Sequence, residues 1–266
     1  MNKKTILLLP SALAATILTL QAQTAANPAL VVPAPPADTY VITPAYVSNY
    51  MFRGQRLCGP AFEPNLEYDR GSLGVGVWMN IPISSKVPGV SDPEIDPYAY
   101  YTINVNEALS VVPGITIYTY PRAVGANGFY GTTVEPNLAL NYTVAGLKLT
   151  PKLYYDFVLQ GPTAELTAGF AVPLPDAGTE LDLTGQYGEY YFGDSAKNAS
   201  PRVKAWGNYW LVGFSVPYQF GKTKLIMGYA YAKGGDAFTK QNGVPKAANT
   251  LAVGRSVLSA SLSWTF

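Results

Sequence analysis

Apolar and polar residues alternate with a period of two along most of this chain. In LKLTPKLYYDFVL, Leu147, Leu149, Leu153, Tyr155, Phe157 and Leu159 share one parity, while Lys148, Thr150, Lys152, Tyr154 and Asp156 take the other. That is the pattern of a strand with one apolar face and one wet face. The same rhythm predicts twelve strands, over 40–53, 60–69, 72–81, 94–105, 109–120, 132–143, 147–159, 163–174, 179–191, 207–219, 223–233 and 250–266. Many reach ten residues, and ten residues tilted by about 40° climb roughly 25 Å, the height of an outer-membrane apolar band. Strands of soluble domains are about half as long. After the first segment, no stretch approaches the roughly 20 apolar residues of a spanning helix.

The connections predict an up-and-down order. One set of links is compact and rich in turn formers: YDRGS, NVNEAL, TVAGL, PLPDAG and QFGKT. The alternate set includes the longer SSKVPGVSDP, PRAVGANGFY, GDSAKNASPRVKAW and AKGGDAFTKQNGVPKAAN, together with two short links around GQRLCG and QGPT. Prolines interrupt the related segments FEPNLEY and VEPNLAL. A proline removes a ladder bond, so both are expected to be local twists or bulges.

The chain closes on SVLSASLSWTF, in which Leu258, Ala260, Leu262, Trp264 and Phe266 share a parity. Chain ends usually fray, and can be polar at no cost. A regular two-faced strand there is explained if it must bond to the first strand, because in lipid every backbone donor and acceptor needs a partner. The expected fold is therefore all-β, a transmembrane antiparallel up-and-down β-barrel of about 12 strands. Leu262, Trp264 and Phe266 mark its closing, assembly-directing strand. Tyr40, Tyr68, Tyr142 and Tyr218 fall near strand ends, where amphipathic rings suit a membrane interface. The competing reading is a periplasmic sandwich with a dry core, which the length and uniformity of the strands disfavour.

Residues 1–26 combine Lys3 and Lys4 with a short apolar run containing Pro10, and read as a signal peptide. Residues 27–38 form a proline-rich lead-in, and 39–266 the barrel, expected in a Gram-negative outer membrane. Removing 1–26 lowers Lys+Arg from 18 to 16 against 17 acids, a balance that offers no case for nucleic acid. Tyrosine is abundant, at 20 residues, as suits surfaces that are wet at one end and apolar at the other. The single cysteine, Cys58, excludes an intrachain disulfide and reads as an incidental loop thiol.

YVSNYMFRG at 46–54, YDRGSLGVGVWMN at 68–80 and EIDPYAYYTINVNEALSVVPGITIYTYP at 94–121 resemble segments of the TorF-like, Gcw_chp family of exported bacterial proteins. The terminal phenylalanine resembles the assembly signal of Gram-negative outer-membrane barrels more generally. The resemblance implies location and fold and brings no substrate with it. LCGP after Arg53 and the proline in EIDPY depart from the family pattern.

Candidate chemistry is sparse. The chain has no histidine, so the usual base of barrel hydrolases and proteases is missing, and no enzymatic role is expected. Ser195 in GDSAK reads as a solvated turn. One cysteine and no histidine exclude the common zinc and copper sets. Asp92, Glu94 and Asp96 in SDPEID could hold calcium only weakly and read as a soluble rim. No cofactor or metal is expected.

The residues assigned to the lumen carry more information. On the inward parity lie Asn49, Arg53, Glu63, Asn65, Glu67, Asp96, Glu135 and Asn137, then Lys148, Lys152, Asp156, Glu165, Glu180, Asp182 and Gln186. Such a wall can orient small polar solutes in a wet passage or cross-link into a plug of ion pairs. Twelve strands fall between filled and open barrels. Gly74, Gly76, Gly114, Gly169 and Gly188 thin the wall, and Trp78, Tyr98, Tyr100, Tyr118 and Tyr120 thicken it, as filler or as a slide for sugar-like solutes. The expected role is passive passage of small polar solutes. The alternative is a non-conducting structural or surface-interaction barrel. The expected partners are outer-membrane lipid, the barrel-assembly machinery during insertion and a small polar solute, with the chain acting as a monomer.

Overall fold

The computed structural model describes residues 38–86, 92–123, 131–158, 160–192, 205–235 and 252–266. The expected signal peptide, nearly all of the lead-in and Ser195 lie outside them. The first wall strand is β1 (Asp38–Thr43) continued by β2 (Ala45–Val47), and β3 (Tyr50–Phe52) and β4 (Gln55–Cys58) form a separate hairpin. The second wall strand joins β5 (Ala61–Phe62) to β6 (Asn65–Arg70), the third is β7 (Leu73–Pro82), and the fourth joins β8 (Glu94–Tyr101) to β9 (Ile103–Asn104). Then follow β10 (Leu109–Thr119), β11 (Thr132–Val144), β12 (Leu147–Asp156) and β13 (Gly161–Leu174). The wall ends with β14 (Thr179–Phe192), β15 (Ala205–Phe220), β16 (Thr223–Gly234) and β17 (Arg255–Thr265).

These make twelve antiparallel wall strands, each bonded to its neighbours in sequence, and the ring is closed. β17 pairs with β16 on one side and with β1 and β2 on the other, through Ile42↔Trp264 and Val47↔Ser259. The Tyr40 and Phe266 backbones exchange two hydrogen bonds, of 3.3 and 3.0 Å, and Leu262 N–H donates to the Pro44 carbonyl at 3.1 Å. No strand edge is left open around the ring, which removes the usual hazard of an unpaired sheet border.

The prolines act in different ways. Pro44 splits the first wall strand and Pro64 splits the second, where the Pro64 carbonyl still accepts from Met79 N–H at 3.0 Å. Pro136 stays within β11, opposite Ile115. Pro97 leaves a gap in the β8–β10 ladder, and there Thr119 N–H donates to the Asp96 carboxylate at 3.3 Å. A carboxylate thus accepts from a β10 N–H beside the gap, while the donor that Pro97 lacks is not replaced.

Short turns gather at one end, named here the turn end. They include Ala145–Gly146, with φ of 48° and 81°, and a 3-10 turn at Pro175–Ala177. The other, loop end carries the remaining links. The outer face is apolar: exposed Leu66, Leu138, Leu153 and Leu166 lie at mid-height. Exposed Tyr40, Tyr101, Tyr142, Phe220 and Phe266 ring the turn end, and Tyr46, Phe62, Tyr155, Phe157 and Trp206 ring the loop end. Acids, hydroxyls and amides instead point inward, with Glu67, Asp96, Glu135, Thr167 and Ser215 buried.

The first strand departs from the sequence expectation of 40–53. It ends at Val47, and the chain then turns into the barrel as the β3–β4 hairpin. Val47 lies opposite Ala61 in the wall ladder, and Ser48 and Pro60 still bond to the neighbouring strands, so residues 49–59 are surplus to the wall. Leu262→Pro, which deletes the donor to Pro44, is expected to prevent closure. On unheated electrophoretic gels the compact folded band of the unaltered chain should be lost or much reduced.

Candidate functional site

The hairpin turns on Arg53 and Gly54, whose φ values are 47° and 71°. Two-residue hairpin turns with both φ positive favour Asn-Gly or Asp-Gly, so arginine at the first position is costly on its own. The hairpin crosses the lumen. Tyr50, Met51, Leu57 and Cys58 are buried against Trp78, Tyr98, Leu211, Ala230 and Val257 of the wall. The Tyr50 ring sits 5.6 Å from Trp78, and Phe52 meets Tyr118 edge-on at 5.8 Å. At the tip, a methyl group on Gly54 would fall 2.5 Å from Gly234 Cα and 2.6 Å from Tyr209 Cβ, so only glycine allows this approach.

Arg53 anchors the tip to the far wall. Its Nη2 donates to both carboxylate oxygens of Glu135, at 2.8 and 2.9 Å. The Arg53 side chain is 8% exposed and the Glu135 side chain 0%. The guanidinium also packs 4.8 Å from the Phe52 ring and 4.9 Å from Tyr154, a favourable placement for a cation over aromatic faces. Glu135 further accepts from Tyr118 Oη at 3.0 Å. Removing one partner of such a buried pair strands the other, at a cost of about 3–5 kcal/mol.

Around this knot four inward tyrosines follow one geometry. Tyr98, Tyr100, Tyr190 and Tyr209 each lie across a glycine on the adjacent strand, and three of them, Tyr98, Tyr100 and Tyr209, reach a carboxylate one strand further on. Tyr100 covers Gly74 and donates to Asp69 at 2.9 Å and Glu67 at 3.0 Å. Tyr98 covers Gly76, donating to Glu67 and, at 3.0 Å, to Asn65. On the opposite side, Tyr209 covers Gly188 and donates to Glu165 at 2.6 Å, with Tyr154 donating to the same carboxylate at 3.2 Å. Tyr190 covers Gly207. The glycines therefore do not simply widen the lumen, since they seat rings. Trp78, Tyr98, Tyr118 and Tyr120 are buried, so they fill space and offer no open face to a sugar.

Three further carboxylates are held by neutral donors. Glu63 accepts from Asn80 at 3.1 Å, Glu94 from Tyr120 at 2.7 Å, and Asp156 from Thr133 at 2.6 Å. Gln186 donates to Thr167 at 3.3 Å, and the ammonium of Lys152 lies 4.7 Å from the Tyr154 ring. Asn137 faces Gly114 from the neighbouring strand. Toward the turn end, Asp182 lies beside Ser215, with Lys148, Glu180 and Lys224 on inward positions of the same region. There some inward residues are small or partly exposed, as at Gly169, Thr184, Ser261 and Ser263, while Asp182 and Ser215 are buried.

Two residues placed on the wall by the sequence rhythm belong to the hairpin. Arg53 forms its tip. Asn49 braces its base, donating to the Ser256 carbonyl at 3.0 Å and accepting from Arg56 Nε at 3.0 Å. The GQRLCG link is likewise part of this inward hairpin, and Cys58 is sealed in the lumen with its thiol 3.7 Å from Asn80 Oδ1. The sequence did hold a signal for this. The doublets Tyr50–Met51 and Leu57–Cys58 put apolar residues on both parities, which a two-faced wall strand would not do. Among the described residues no group of three metal-ligating side chains is positioned to hold a metal ion.

No family model and no curated protein matches the chain. Solved structures of similar shape include the KdgM porin, at 12% identity and a TM-score of 0.49, covering 85% of this chain and 99% of that one. An outer-membrane channel from Pseudomonas putida F1 gives 11% identity and a TM-score of 0.47 over 91% of this chain and all of its own. LpxR from Salmonella typhimurium gives 8% and 0.45, over 86% of this chain and all of its own. Likeness at this level carries nothing about what the chain does. The resemblance to the TorF-like family rests on its three sequence segments.

Gly188→Val would push its side chain into the Tyr209 ring and is expected to lower the urea midpoint of unfolding clearly. Gly185→Val serves as the control, because a Cβ there meets nothing within 4 Å. It should leave the midpoint nearly unchanged.

Proposed function

We propose that the chain is a Gram-negative outer-membrane barrel whose lumen passes small polar solutes by passive diffusion, with the β3–β4 hairpin closing the loop end in the state described. The observation that carries this reading is the inverted distribution of side chains. A closed ring turns leucines and aromatics outward and carboxylates, hydroxyls and lysines inward, as a wall between lipid and water requires. The aromatic rings at both ends of the outer face match the two interfaces of a bilayer. The partly exposed polar turn half supplies hydrogen bonds and charges that offset solute desolvation, with no chemical step.

A second reading, a non-conducting barrel, is favoured by the seal around Arg53 and Glu135. In that case the lumen is only a scaffold, and the loop-end links do any binding. Planar-bilayer recordings of the purified full chain separate the two. Discrete unitary currents support passage, and silence from folded protein supports the scaffold.

If current flows, the inward carboxylates should favour cations. Glu67→Gln, Glu180→Gln and Asp182→Asn combined are expected to move the reversal potential in a salt gradient toward zero, and an unmoved potential would reject the assignment. The outer face has its own test. Leu153→Arg, at mid-height and exposed, should cost about 2–4 kcal/mol of folding stability in lipid vesicles. A neutral effect there would mean that this face does not meet hydrocarbon.

A further inference from the structure

We propose that the β3–β4 hairpin is a latched gate, with Arg53 as its catch and Glu135 as its keeper, so that breaking this one pair opens the passage. The inference rests on the channel reading above and adds how that channel is shut.

Four observations carry it. The hairpin is surplus to the barrel: Val47 and Ala61 are direct ladder partners, and a short turn would join them. Its two strands pair only with each other, as a sheet separate from the wall. Its base is tied by a few bonds, among them those of Ser48 N–H to the Leu258 carbonyl at 2.8 Å, of Asn49 to Ser256 and of Gly59 N–H to the Ser85 carbonyl at 3.1 Å, which suits a hinge. Its tip is fastened across the lumen by the Arg53–Glu135 pair.

The tip also carries an opposing tendency. Arg53 holds a left-handed backbone conformation that a β-carbon disfavours, and its Nε has no hydrogen-bond partner. The ion pair and the aromatic contacts offset both. Without Glu135, a buried guanidinium is left beside the rings, and its hydration outside the seal becomes the better state. The apolar contacts of Tyr50, Met51 and Leu57 tend to hold the hairpin in. Release is therefore expected as intermittent opening of a folded barrel, with the wall intact.

The experiment uses the full chain in planar bilayers, with folding checked by heat-modifiable gel migration. Three variants are compared with the unaltered protein: Arg53→Asn, which suits the turn and removes the catch; Glu135→Gln, which removes the keeper's charge; and replacement of residues 49–59 by a Gly-Ser-Gly turn. The first two are expected to raise open probability several-fold, and the third to remain open. If the shortened variant conducts while Arg53→Asn and Glu135→Gln match the unaltered chain, the latch is overturned and the channel stands. If the shortened variant is folded and silent, the channel reading itself fails, and the latch with it.

Discussion

Everything in this molecule depends on the bonding of its last strand to its first. With β17 held between β16 and the β1–β2 strand, each wall strand has neighbours on both sides. A sheet without edges can present an entirely apolar exterior, because no unpaired backbone group is left to meet a medium lacking hydrogen-bond partners. Closure also inverts the ordinary economy of a protein interior. The inward half of every alternating strand is polar, and it must find partners inside a confined cylinder.

The interior meets that demand mainly with tyrosine. A carboxylate on one strand, a glycine on the next and a tyrosine on the third form a unit in which the ring lies flat over the glycine and its hydroxyl reaches the acid. It occurs at Asp69–Gly74–Tyr100 and again at Glu165–Gly188–Tyr209, on opposite sides of the barrel. One side chain thereby covers backbone that a glycine would leave bare and supplies a donor to a buried anion. Lysines do little of this work, and the acids here depend on hydroxyl and amide donors. Buried polar groups of this kind stabilise only while each remains satisfied, which couples the packing of the wall to its electrostatics.

The hairpin adds a second, weaker layer to this closed wall. The barrel ring is stitched by continuous ladders, whereas the hairpin leans on its tip, a few base bonds and apolar contact. Two levels of cohesion in one chain allow the inner element to move while the outer one persists. They also divide the lumen along its axis, into a polar region at the turn end and a packed plug beneath the loop end.

Much of the fold was legible in the residues. Period-two alternation marked the wall strands, the compact turns YDRGS, TVAGL and QFGKT marked one end, and the terminal Leu262, Trp264 and Phe266 marked the closing strand. Parity alone assigned Glu67, Glu135, Glu165 and Asp182 to the inner face, since side-chain direction in a strand is a local property. Parity could not say where the first strand stops. Asn49 and Arg53 continue its rhythm, and only the opposition of Val47 to Ala61 removes them from the wall. Nor could it pair Arg53 with Glu135 or seat Tyr209 on Gly188, because partners on different strands meet through barrel register and curvature. Along the wall strands, the sequence by itself determined which residues face in and which face out. The tertiary structure decided what they touch, because those contacts exist only once the ring has closed.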